Sequence, residues 1–368
     1  MSPEELWAST QRILCVRLDT LGDVLMTTPA LRALRGSGED REITLLTSPA
    51  GAEVARLIPE VAGVISYDAP WVKSAMPAGN AGAEYAIARD LARKGFDAAV
   101  LFTVYSQSPL PAALLCYLAD IPLRLAHCRE NPYRLLTDWV PDPEPERMVR
   151  HEVRRQLDLV AAAGFAHDDV SLSLEPPASA RLSAEAIAAD LGLEDRSTWA
   201  VMHPGASAPS RRYPAEGFVD AGRRLVSSGC MLVFTGSEAE IDLVEGIRAA
   251  MDVPSHSLAG RLDLGELAAV IELAPLVVTN NTGPAHIAAA VGTPVVDLYA
   301  LTNPQHTPWG IESRVLSHDV PCRWCYKSVC PEGHHNCLRL VSPDAVAAAA
   351  MELLAAPGVR GRSRSRGA

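Results

Sequence analysis

Along most of the chain, continuous apolar runs of strand length alternate with longer segments whose apolar positions recur at helical spacing. Such runs are typical of parallel strands that helices cover on both faces, so the pattern predicts an α/β fold. The strands predicted in the first half are 12–18, 42–48, 63–68 and 97–103, separated by helices at about 24–35, 51–58, 83–94 and 109–119.

A second series of strands follows and predicts a second unit of the same kind. Its strands are 199–205, 231–237, 276–283 and 294–300, again with gaps of helix length. Between the two series, the alternating prolines and acids of 141–146 predict a linker, and the apolar spacing of 147–164 predicts a long helix. Ligands of doubly wound sheets bind at the carboxyl ends of strands, so we expect the chemistry in the loops that follow strands.

These patterns divide the chain into two predicted domains at 12–175 and 176–342, a C-terminal helix at 343–356 and a tail at 357–368. In the tail, arginines alternate with glycine and serine, and nothing apolar is available for burial. Segments of that composition do not fold by themselves, so we expect a disordered tail, which is also compatible with contact to anionic lipid.

Composition narrows the classes of partner. The 368 residues are 48% hydrophobic and 21% charged, with 33 Lys and Arg against 44 Asp and Glu, a net charge of −11. A protein of this charge repels nucleic acid, which we therefore exclude as a main partner. The first residues are acidic where a secretory signal is basic, and the apolar stretch 345–356 is too short to span a bilayer. We expect a cytoplasmic protein whose membrane contact is at most peripheral.

The turn after the first predicted strand carries the first candidate site. Asp19, Thr20, Gly22 and Asp23 lie between this strand and a helix that begins near residue 24. A carboxylate at that place has two interpretations. Asp23 either caps the helix by accepting free N–H groups, or it contacts a ligand at the edge of the sheet.

The second candidate site follows the strand at 199–205. Its loop contains Ser207, Ser210, Arg211 and Arg212 before Pro214, which we expect in the first turn of a helix. Guanidinium groups and N–H groups in such a loop bind a diphosphate well. The alternative is an exposed basic pair on a solvated turn.

The third candidate site follows the strand at 276–283. A polar turn with Asn280, Asn281, Thr282 and Gly283 precedes a helix of small residues. The N–H groups of this turn form a second potential binding site for an anion. His286 falls in the first turn of this helix, where it either binds a ligand or packs against the backbone.

Four cysteines cluster near the C-terminus at Cys322, Cys325, Cys330 and Cys337. The first two have the spacing of a tetrahedral metal site, but the remaining gaps match no standard zinc module. A structural zinc or iron, reduced thiols in an irregular loop and a redox-sensitive pair all remain open. The sequence lacks a P-loop, the dinucleotide fingerprint after the first strand and a complete nucleophile elbow, which argues against those enzyme classes.

Taken together, LDTLGDVLMTTPALRALR, HPGASAPSRRYP and TNNTGPAHIAAAVGTPVVDLYALTNP resemble the heptosyltransferase family, glycosyltransferase family 9, over about 12–355. The resemblance implies a GT-B fold of two Rossmann-like domains, with parallel doubly wound sheets that face a central cleft. It also implies an ADP-heptose donor on the C-terminal domain, a glycan or glycolipid acceptor on the N-terminal domain, and inverting transfer without a catalytic metal or cofactor.

The resemblance assigns roles to single residues. Asp23 matches the proposed general base, and Arg211 replaces a lysine that stabilises the departing ADP. Asn281 departs from the usual aspartate and puts the donor sugar in doubt. The donor-binding candidates are Ser207, Arg212, Glu238, Glu240, Asn281, Thr282, Gly283 and His286; the acceptor-side candidates are Asp19, Thr20 and Gly22, with Arg124, Arg129 and Arg134 as contacts for acceptor phosphates or acidic sugars.

The leading hypothesis is therefore an inverting heptosyltransferase that acts on a lipopolysaccharide inner-core or related glycan acceptor at the cytoplasmic face of the membrane. Two alternatives belong to other classes: a nucleotide-sugar epimerase, which needs no acceptor, and a nucleotide-sugar-binding protein without turnover.

Overall fold

The first unit of the protein is built on a six-stranded parallel sheet. In the computed structural model, which describes residues 3–38, 40–72, 81–193 and 198–356, the chain divides at Leu174 and Glu175 into two units. The strands of the first unit are β1 Arg12–Arg17, β2 Glu42–Thr47, β3 Gly63–Ser66, β4 Ala98–Leu101, β5 Leu123–Cys128 and β6 Asp138–Pro141. Its helices are α1 Pro3–Ala8, α2 Leu21–Gly36, α3 Pro49–Ala55, α4 Gly82–Lys94, α5 Leu110–Leu118 and α6 Glu152–Ala161.

The second unit repeats this design. Its strands are β7 Trp199–His203, β8 Met231–Phe234, β9 His256–Ser257, β10 Val277–Asn280, β11 Val295–Leu298 and β12 Ser313–Leu316. Its helices are α7 Ala178–Asp190, α8 Ala215–Ser227, α9 Ile241–Met251, α10 Leu264–Leu273, α11 Gly283–Val291, α12 Asn336–Arg339 and α13 Pro343–Ala355, with short 3₁₀ turns at Pro209–Arg211, Glu238–Glu240 and Pro304–His306.

Both sheets have the same doubly wound topology. The order is β3-β2-β1-β4-β5-β6 in the first and β12-β11-β10-β7-β8-β9 in the second, and all neighbours are parallel. The strand order reverses between β1 and β4 and between β7 and β10. A ligand of such a sheet binds outside the carboxyl ends of the strands at this reversal. The predicted α/β fold of two Rossmann-like units is confirmed.

Most of the strands that the sequence predicted are buried on both faces, although the predicted strand β3 is a half-exposed edge strand. In β1, Ile13 through Val16 are at most 2% exposed, and alternate residues pack against helices on opposite faces of the sheet. All eight predicted strands are present within a few residues. The predicted C-terminal helix corresponds to α13, whereas the tail at 357–368 lies outside the described residues.

Four strands were missed by the sequence analysis: β5, β6, β9 and β12. The last three are edge strands with half-exposed side chains or only two residues, and β5 contains polar Arg124 and His127. None of them forms the continuous apolar run that periodicity recognises.

The segment 141–146 contains no helix or central strand, as predicted, but the structure differs from the predictions for 141–164 in the start of the helix and in the packing of the linker. The helix begins at Glu152 instead of 147, because the Arg150 N–H and guanidinium bind the Glu144 carboxylate at 2.6 and 2.8 Å. The predicted linker at 141–146 is packed: Glu144 is fully buried, and Arg155 binds both Asp142 and Glu144. A buried carboxylate needs such partners, and they fix this segment in the first unit.

Within the described ranges, no helix has both the length and the apolar character that crossing a membrane requires.

Candidate functional site

The loops at the two sheet reversals carry the polar residues that the sequence singled out. Asp19, Thr20 and Asp23 follow β1 in the first unit. In the second unit, Arg211 follows β7 and Asn281 follows β10.

The Asp23 carboxylate has two simultaneous functions in the first turn of α2. Its Oδ2 accepts hydrogen bonds from the Thr20 N–H at 3.1 Å and the Thr20 hydroxyl at 2.7 Å, which completes a capping box. Its Oδ1 lies 3.1 Å from the Arg17 guanidinium. The helix-cap interpretation is therefore confirmed, but the side chain is also 16% exposed and faces a cation, so a bound hydroxyl can still reach it.

Arg17 binds three carboxylates from the buried end of β1. Its guanidinium lies 3.1 Å from Asp19, 3.1 Å from Asp23 and 2.9 Å from Glu152. Burial alone would lower the pKa of Arg17, but the three carboxylates raise it above its usual value. Arg17 therefore stays charged while it is fully buried. The sequence analysis missed it, although an arginine inside a doubly buried strand signals a buried ionic partner.

Glu152 connects this cluster to α6. It is 1% exposed, and its Oε1 accepts hydrogen bonds from Arg17 at 2.9 Å and from Gln156 at 2.5 Å. Burial raises the pKa of Glu152, and the charges of Arg17 and Arg155 oppose that shift. The start of α6 is thus fixed to the end of β1 by a charged hydrogen bond.

Asp19 lies at the edge of a cavity of about 290 Å³. Its Oδ1 accepts a 2.6 Å hydrogen bond from Gln107 in the loop after β4, which the sequence analysis did not single out. Burial raises the pKa of Asp19; Arg17 opposes the shift and Asp23 adds to it. The cavity is lined by Val16, Leu18, Asp19, Trp71, Val72, Leu101, Phe102, Thr103, Ser106, Gln107, Ser108, Pro111 and Ala112.

The prediction that Arg124 contacts the acceptor was wrong. Its guanidinium donates to the backbone carbonyls of Leu135 at 2.7 Å and Arg134 at 2.9 Å, and to that of Ile121. It also stacks on the ring of Tyr117 at 5.4 Å. Arg124 is therefore a structural residue that ties β5 to the next loop. Arg129 and Arg134 are exposed, and their roles stay predictions.

In the second unit, Arg211 joins the loop after β7 to the turn after β10. Its Nη1 donates a 3.3 Å hydrogen bond to the backbone oxygen of Asn281. Its Nε is buried and has no hydrogen-bond partner among the described residues. An unsatisfied buried donor of this kind is costly, and an anion can satisfy it.

Asn280 holds the same loop in place. Its Oδ1 accepts the Tyr213 N–H at 2.9 Å, and its Nδ2 donates to the Pro204 oxygen at 2.7 Å. The Tyr213 hydroxyl donates to the Val341 oxygen at 2.8 Å. These bonds fix both ends of the segment that presents Arg211.

The other predicted donor residues divide into two groups. Thr282 is the N-cap residue of α11 and Gly283 is its first residue, so both lie at the helix N-terminus beside Asn281. The Asn281 Oδ1 and the His286 Nδ1 are buried in the same unit. In contrast, Ser207 and Arg212 are exposed, and the Arg212 Nε donates back to the Ala206 oxygen of its own loop at 2.7 Å.

The structure distinguishes the two glutamates that follow β8. The Glu240 Oε2 accepts the Ser237 N–H at 2.8 Å and lies 3.8 Å from the Nε2 of His203, the last residue of β7. A Cβ at Gly205 would lie 2.0 Å from the Glu240 Oε1, so any larger residue there would displace the Glu240 carboxylate. Glu238 is exposed. Burial lowers the pKa of His203, which Glu240 opposes.

Asp297 is a buried acid that the sequence analysis overlooked. It is fully buried in β11, and neither carboxylate oxygen has a hydrogen-bond partner in the described part of the chain. Burial raises the pKa of Asp297 to about 8, and the charge of Arg211 opposes this shift. An aspartate inside an apolar strand was the available signal.

The four clustered cysteines lie near one another, and burial together with Cys330, Cys322 and Cys325 raises the pKa of Cys337. They are free and half-buried, and the Cys322 Sγ lies 3.7 Å from the His334 Nε2. Among the residues that the structure describes, no three His, Cys, Asp or Glu side chains have the arrangement of a metal site, and the zinc or iron interpretation stays a prediction.

The segment of these cysteines packs on the neighbouring loops. The Ser210 N–H donates to the Ser328 oxygen at 3.0 Å, and the Tyr326 N–H donates to the Leu301 oxygen at 3.0 Å. Backbone hydrogen bonds therefore join it to the Arg211 loop and to the loop after β11.

The raised pKa of Asp297 predicts a pH-dependent gain in stability for Asp297→Asn. The folded state holds the proton more tightly than the unfolded state, so wild-type stability falls as the pH rises from about 4 to about 8. Asparagine removes this titration. The advantage of the variant in unfolding free energy should grow by at most about 1.4 kcal/mol per pH unit over that range.

Denaturant unfolding at pH 5, 6.5 and 8 measures this difference. Asp190→Asn, an exposed position at the end of α7, is the matched control and should show no such trend. A difference for Asp297→Asn that is constant with pH would contradict the assignment.

Comparison with known proteins agrees with this architecture. The family model for glycosyltransferase family 9 (heptosyltransferase) matches residues 85–336. Lipooligosaccharide heptosyltransferase 2 of Campylobacter jejuni is 29% identical over 159 residues, which are 42% of this chain and 50% of that protein. Lipopolysaccharide heptosyltransferase 2 of Salmonella typhimurium is 24% identical over 363 residues, 95% of this chain and 100% of that protein.

A solved structure, that of ADP-heptose lps heptosyltransferase II of E. coli, superposes with a TM-score of 0.72 at 23% identity. The superposition covers 94% of this chain and 98% of that one, and it shows a shared GT-B fold. Since the family model spans more than half of the residues, the chain belongs to glycosyltransferase family 9, the heptosyltransferases.

Proposed function

We propose that the protein is an inverting heptosyltransferase that transfers a heptose from ADP-heptose to a hydroxyl group of a lipopolysaccharide core or related glycan. The observation that carries this proposal is the ionic cluster around Asp23 at the reversal of the first sheet. The names of the Salmonella typhimurium relative and of the E. coli structure support the donor and the acceptor class.

In the proposed reaction, Asp23 is the general base. It accepts the proton of the acceptor hydroxyl while the hydroxyl oxygen attacks the anomeric carbon of the heptose. The bond from that carbon to the phosphate oxygen breaks, and ADP leaves with the bonding electron pair. Because attack comes from the face opposite the leaving group, the anomeric configuration inverts.

The surroundings of Asp23 suit a base. Thr20 and Arg17 hold its two oxygens by separate contacts, so the carboxylate has one orientation. The Arg17 guanidinium that contacts Asp23 also contacts Asp19 and Glu152, so Asp23 does not have this cation to itself.

Arg211 is proposed to stabilise the negative charge that develops on the departing ADP. Its buried Nε has an unused hydrogen bond, and its planar group suits phosphate oxygens. The start of α11 at Thr282 and Gly283 adds the partial positive charge of a helix N-terminus. Asn281 adds no negative charge beside this proposed diphosphate site. The asparagine, which stands where the family usually has aspartate, is therefore compatible with diphosphate binding.

Glu240 is proposed as the acid that binds a hydroxyl group of the donor nucleotide, in preference to Glu238. It lies near His203 at the end of β7 and against Gly205 in the loop that follows, whereas Glu238 is exposed. The proposed reaction needs no metal or other cofactor. We place it in the cytoplasm, with peripheral contact to the inner face of the membrane, because a lipopolysaccharide precursor is a glycolipid.

Incubation with ADP-heptose and core-type glycans, followed by mass analysis, tests the proposal as a whole. Transfer adds the mass of one heptose to a glycan and releases ADP. Conversion of the donor without an acceptor would instead identify an epimerase, and an intact donor would identify a binding protein without turnover.

Asp23→Asn should lower kcat by roughly a hundredfold or more, because the amide cannot accept the proton. Donor affinity should remain within about threefold by calorimetry, since the shape and the Thr20 contacts are retained in large part. The exposed Asp90→Asn in α4 is the matched control. Turnover near the wild-type value in Asp23→Asn would reject the role.

Arg211→Ala should weaken ADP binding by about tenfold or more and lower kcat, because a charge-assisted hydrogen bond to phosphate is lost. Arg211→Lys keeps the positive charge but loses the forked pair of N–H donors. Its ADP affinity and kcat should lie between those of the wild type and those of Arg211→Ala. Arg224→Ala on the exposed side of α8 is the control. Equal ADP affinity in Arg211→Ala and the wild type would count against the diphosphate contact.

A further inference from the structure

We propose that Asp297 controls how strongly the second unit binds a nucleoside diphosphate. As the neutral acid it leaves the charge of Arg211 available to the anion, and as the carboxylate it opposes the anion at the same guanidinium. Asp297 is a positioning residue in this proposal, because it acts through Arg211 and needs no contact with the ligand. The inference rests on the proposed function, since it concerns the same diphosphate site.

Hydrogen bonds connect Arg211 to the end of β11, where Asp297 lies. The Arg211 Nη1 donates to the Asn281 oxygen at 3.3 Å, and the Asn281 N–H donates to the Leu298 oxygen at 3.1 Å. The Asn281 Nδ2 also donates to the Ala300 oxygen at 3.4 Å. Arg211 is therefore joined, through a single residue, to the backbone that directly follows Asp297.

Asp297 is buried without the partners that a carboxylate needs. It is fully buried, and neither of its oxygens has a hydrogen-bond partner among the described residues. Ionisation in such surroundings is costly, so burial raises the pKa of Asp297 to about 8. The charge of Arg211 opposes this rise, which means that the charge of each group acts on the other.

Few titratable groups share the layer of Asp297. The residues in register with it are Thr279 of β10 and Val315 of β12, and neither of them titrates. Helix α11 packs on β10 and β11, and His286 is its only titratable residue. Tyr299 follows Asp297 by two positions and therefore points to the same side of an extended chain.

Tyr299 stays neutral over the range in which Asp297 titrates. Its hydroxyl donates to the Asn303 oxygen at 2.5 Å and lies 2.9 Å from the Thr302 hydroxyl. Burial raises the pKa of Tyr299 above its usual value, which Thr302 opposes and Asp297 reinforces.

The charged residues of β12 and α13 belong to the other face of the sheet. Val296, next to Asp297 along β11, points into the core that α13 covers. Arg314 of β12 is in register with Val296 and binds Glu352 of α13 at 2.6 Å. Asp344, the other acid of α13, is exposed. Arg211 is therefore the charged group that Asp297 influences when it ionises.

Ionisation of Asp297 and binding of a diphosphate oppose each other. Both place negative charge near one guanidinium, and like charges at short range in a partly buried site repel. Bound ADP consequently favours the protonated form of Asp297, and loss of that proton weakens ADP binding by the same factor. Binding must then be accompanied by proton uptake at a pH near or above the pKa of Asp297.

Calorimetric titration with ADP at pH 7 and pH 9 is the first test. The affinity of the wild type should fall by about fivefold between the two, because Asp297 is mainly protonated at pH 7 and mainly ionised at pH 9. In Asp297→Asn it should change by less than about twofold, since the amide does not titrate. Asp190→Asn, at the exposed end of α7, is the matched control and should behave as the wild type. An equal fall in Asp297→Asn, or equal wild-type affinity at both pH values, would overturn the inference.

Proton uptake is the second test. The heat of ADP binding at pH 8.5 is compared in two buffers that differ in ionisation enthalpy. The terminal phosphate of ADP does not contribute, because its last proton is lost at about pH 6. The wild type should take up about half a proton per ADP, and Asp297→Asn close to none. Equal uptake by the two proteins would assign the proton to another group and refute the inference.

Both tests use ADP alone, so they separate this inference from the proposed transfer. If ADP binding depends on Asp297 as described but no heptose is transferred, only the proposed function fails. If heptose is transferred while ADP affinity and proton uptake are independent of Asp297, only the inference fails. Absence of ADP binding at pH 7 would overturn the inference as well.

Discussion

The carboxyl edge of β1 in the first unit depends on the buried cation Arg17. A guanidinium without partners is costly to remove from water, and Arg17 is fully buried at the end of β1. Its partners come from the β1–α2 turn, the first turn of α2 and the start of α6. Since these carboxylates would also be destabilised by burial alone, the cation and the acids require each other. The arrangement fixes Asp19 and Asp23 with defined orientations at the edge of the sheet.

The second unit has a cation with the opposite surroundings, since Arg211 forms no ion pair with a carboxylate among the described residues and keeps a free donor. Arg211 is held by a backbone oxygen and keeps a buried Nε–H without a partner. Two features prevent a neighbouring acid from neutralising the positive charge of Arg211. Asn281 is neutral at the turn beside it, and the raised pKa of Asp297, about 8, keeps that carboxyl largely protonated at neutral pH. An ionised acid at either place would compete with a diphosphate for the guanidinium.

The segment of clustered cysteines is anchored through its backbone. Contacts of Tyr326 and Ser328 join it to the loops after β11 and β7. Cys322, Cys325 and Cys330 lie near Cys337, whose pKa is raised by burial and by these neighbours. The spacing of Cys322 and Cys325 is a local property of the sequence, whereas the proximity of all four thiols is a property of the folded loop.

The sequence by itself determined the doubly wound architecture and the loops that carry the site, because continuous apolar runs and the turns that follow them are local patterns. Asp23, Arg211 and Thr282 were found in this way. Only the tertiary structure decided which polar groups meet. Arg17 and Glu152 are 135 positions apart, and Gln107 is 88 positions from Asp19. It also decided that Arg124 is tied to carbonyls, that Glu240 rather than Glu238 reaches the end of β7, and that Glu144 lies in a packed segment. Burial and ionic pairing depend on contacts between distant segments, and no periodicity within one segment encodes them.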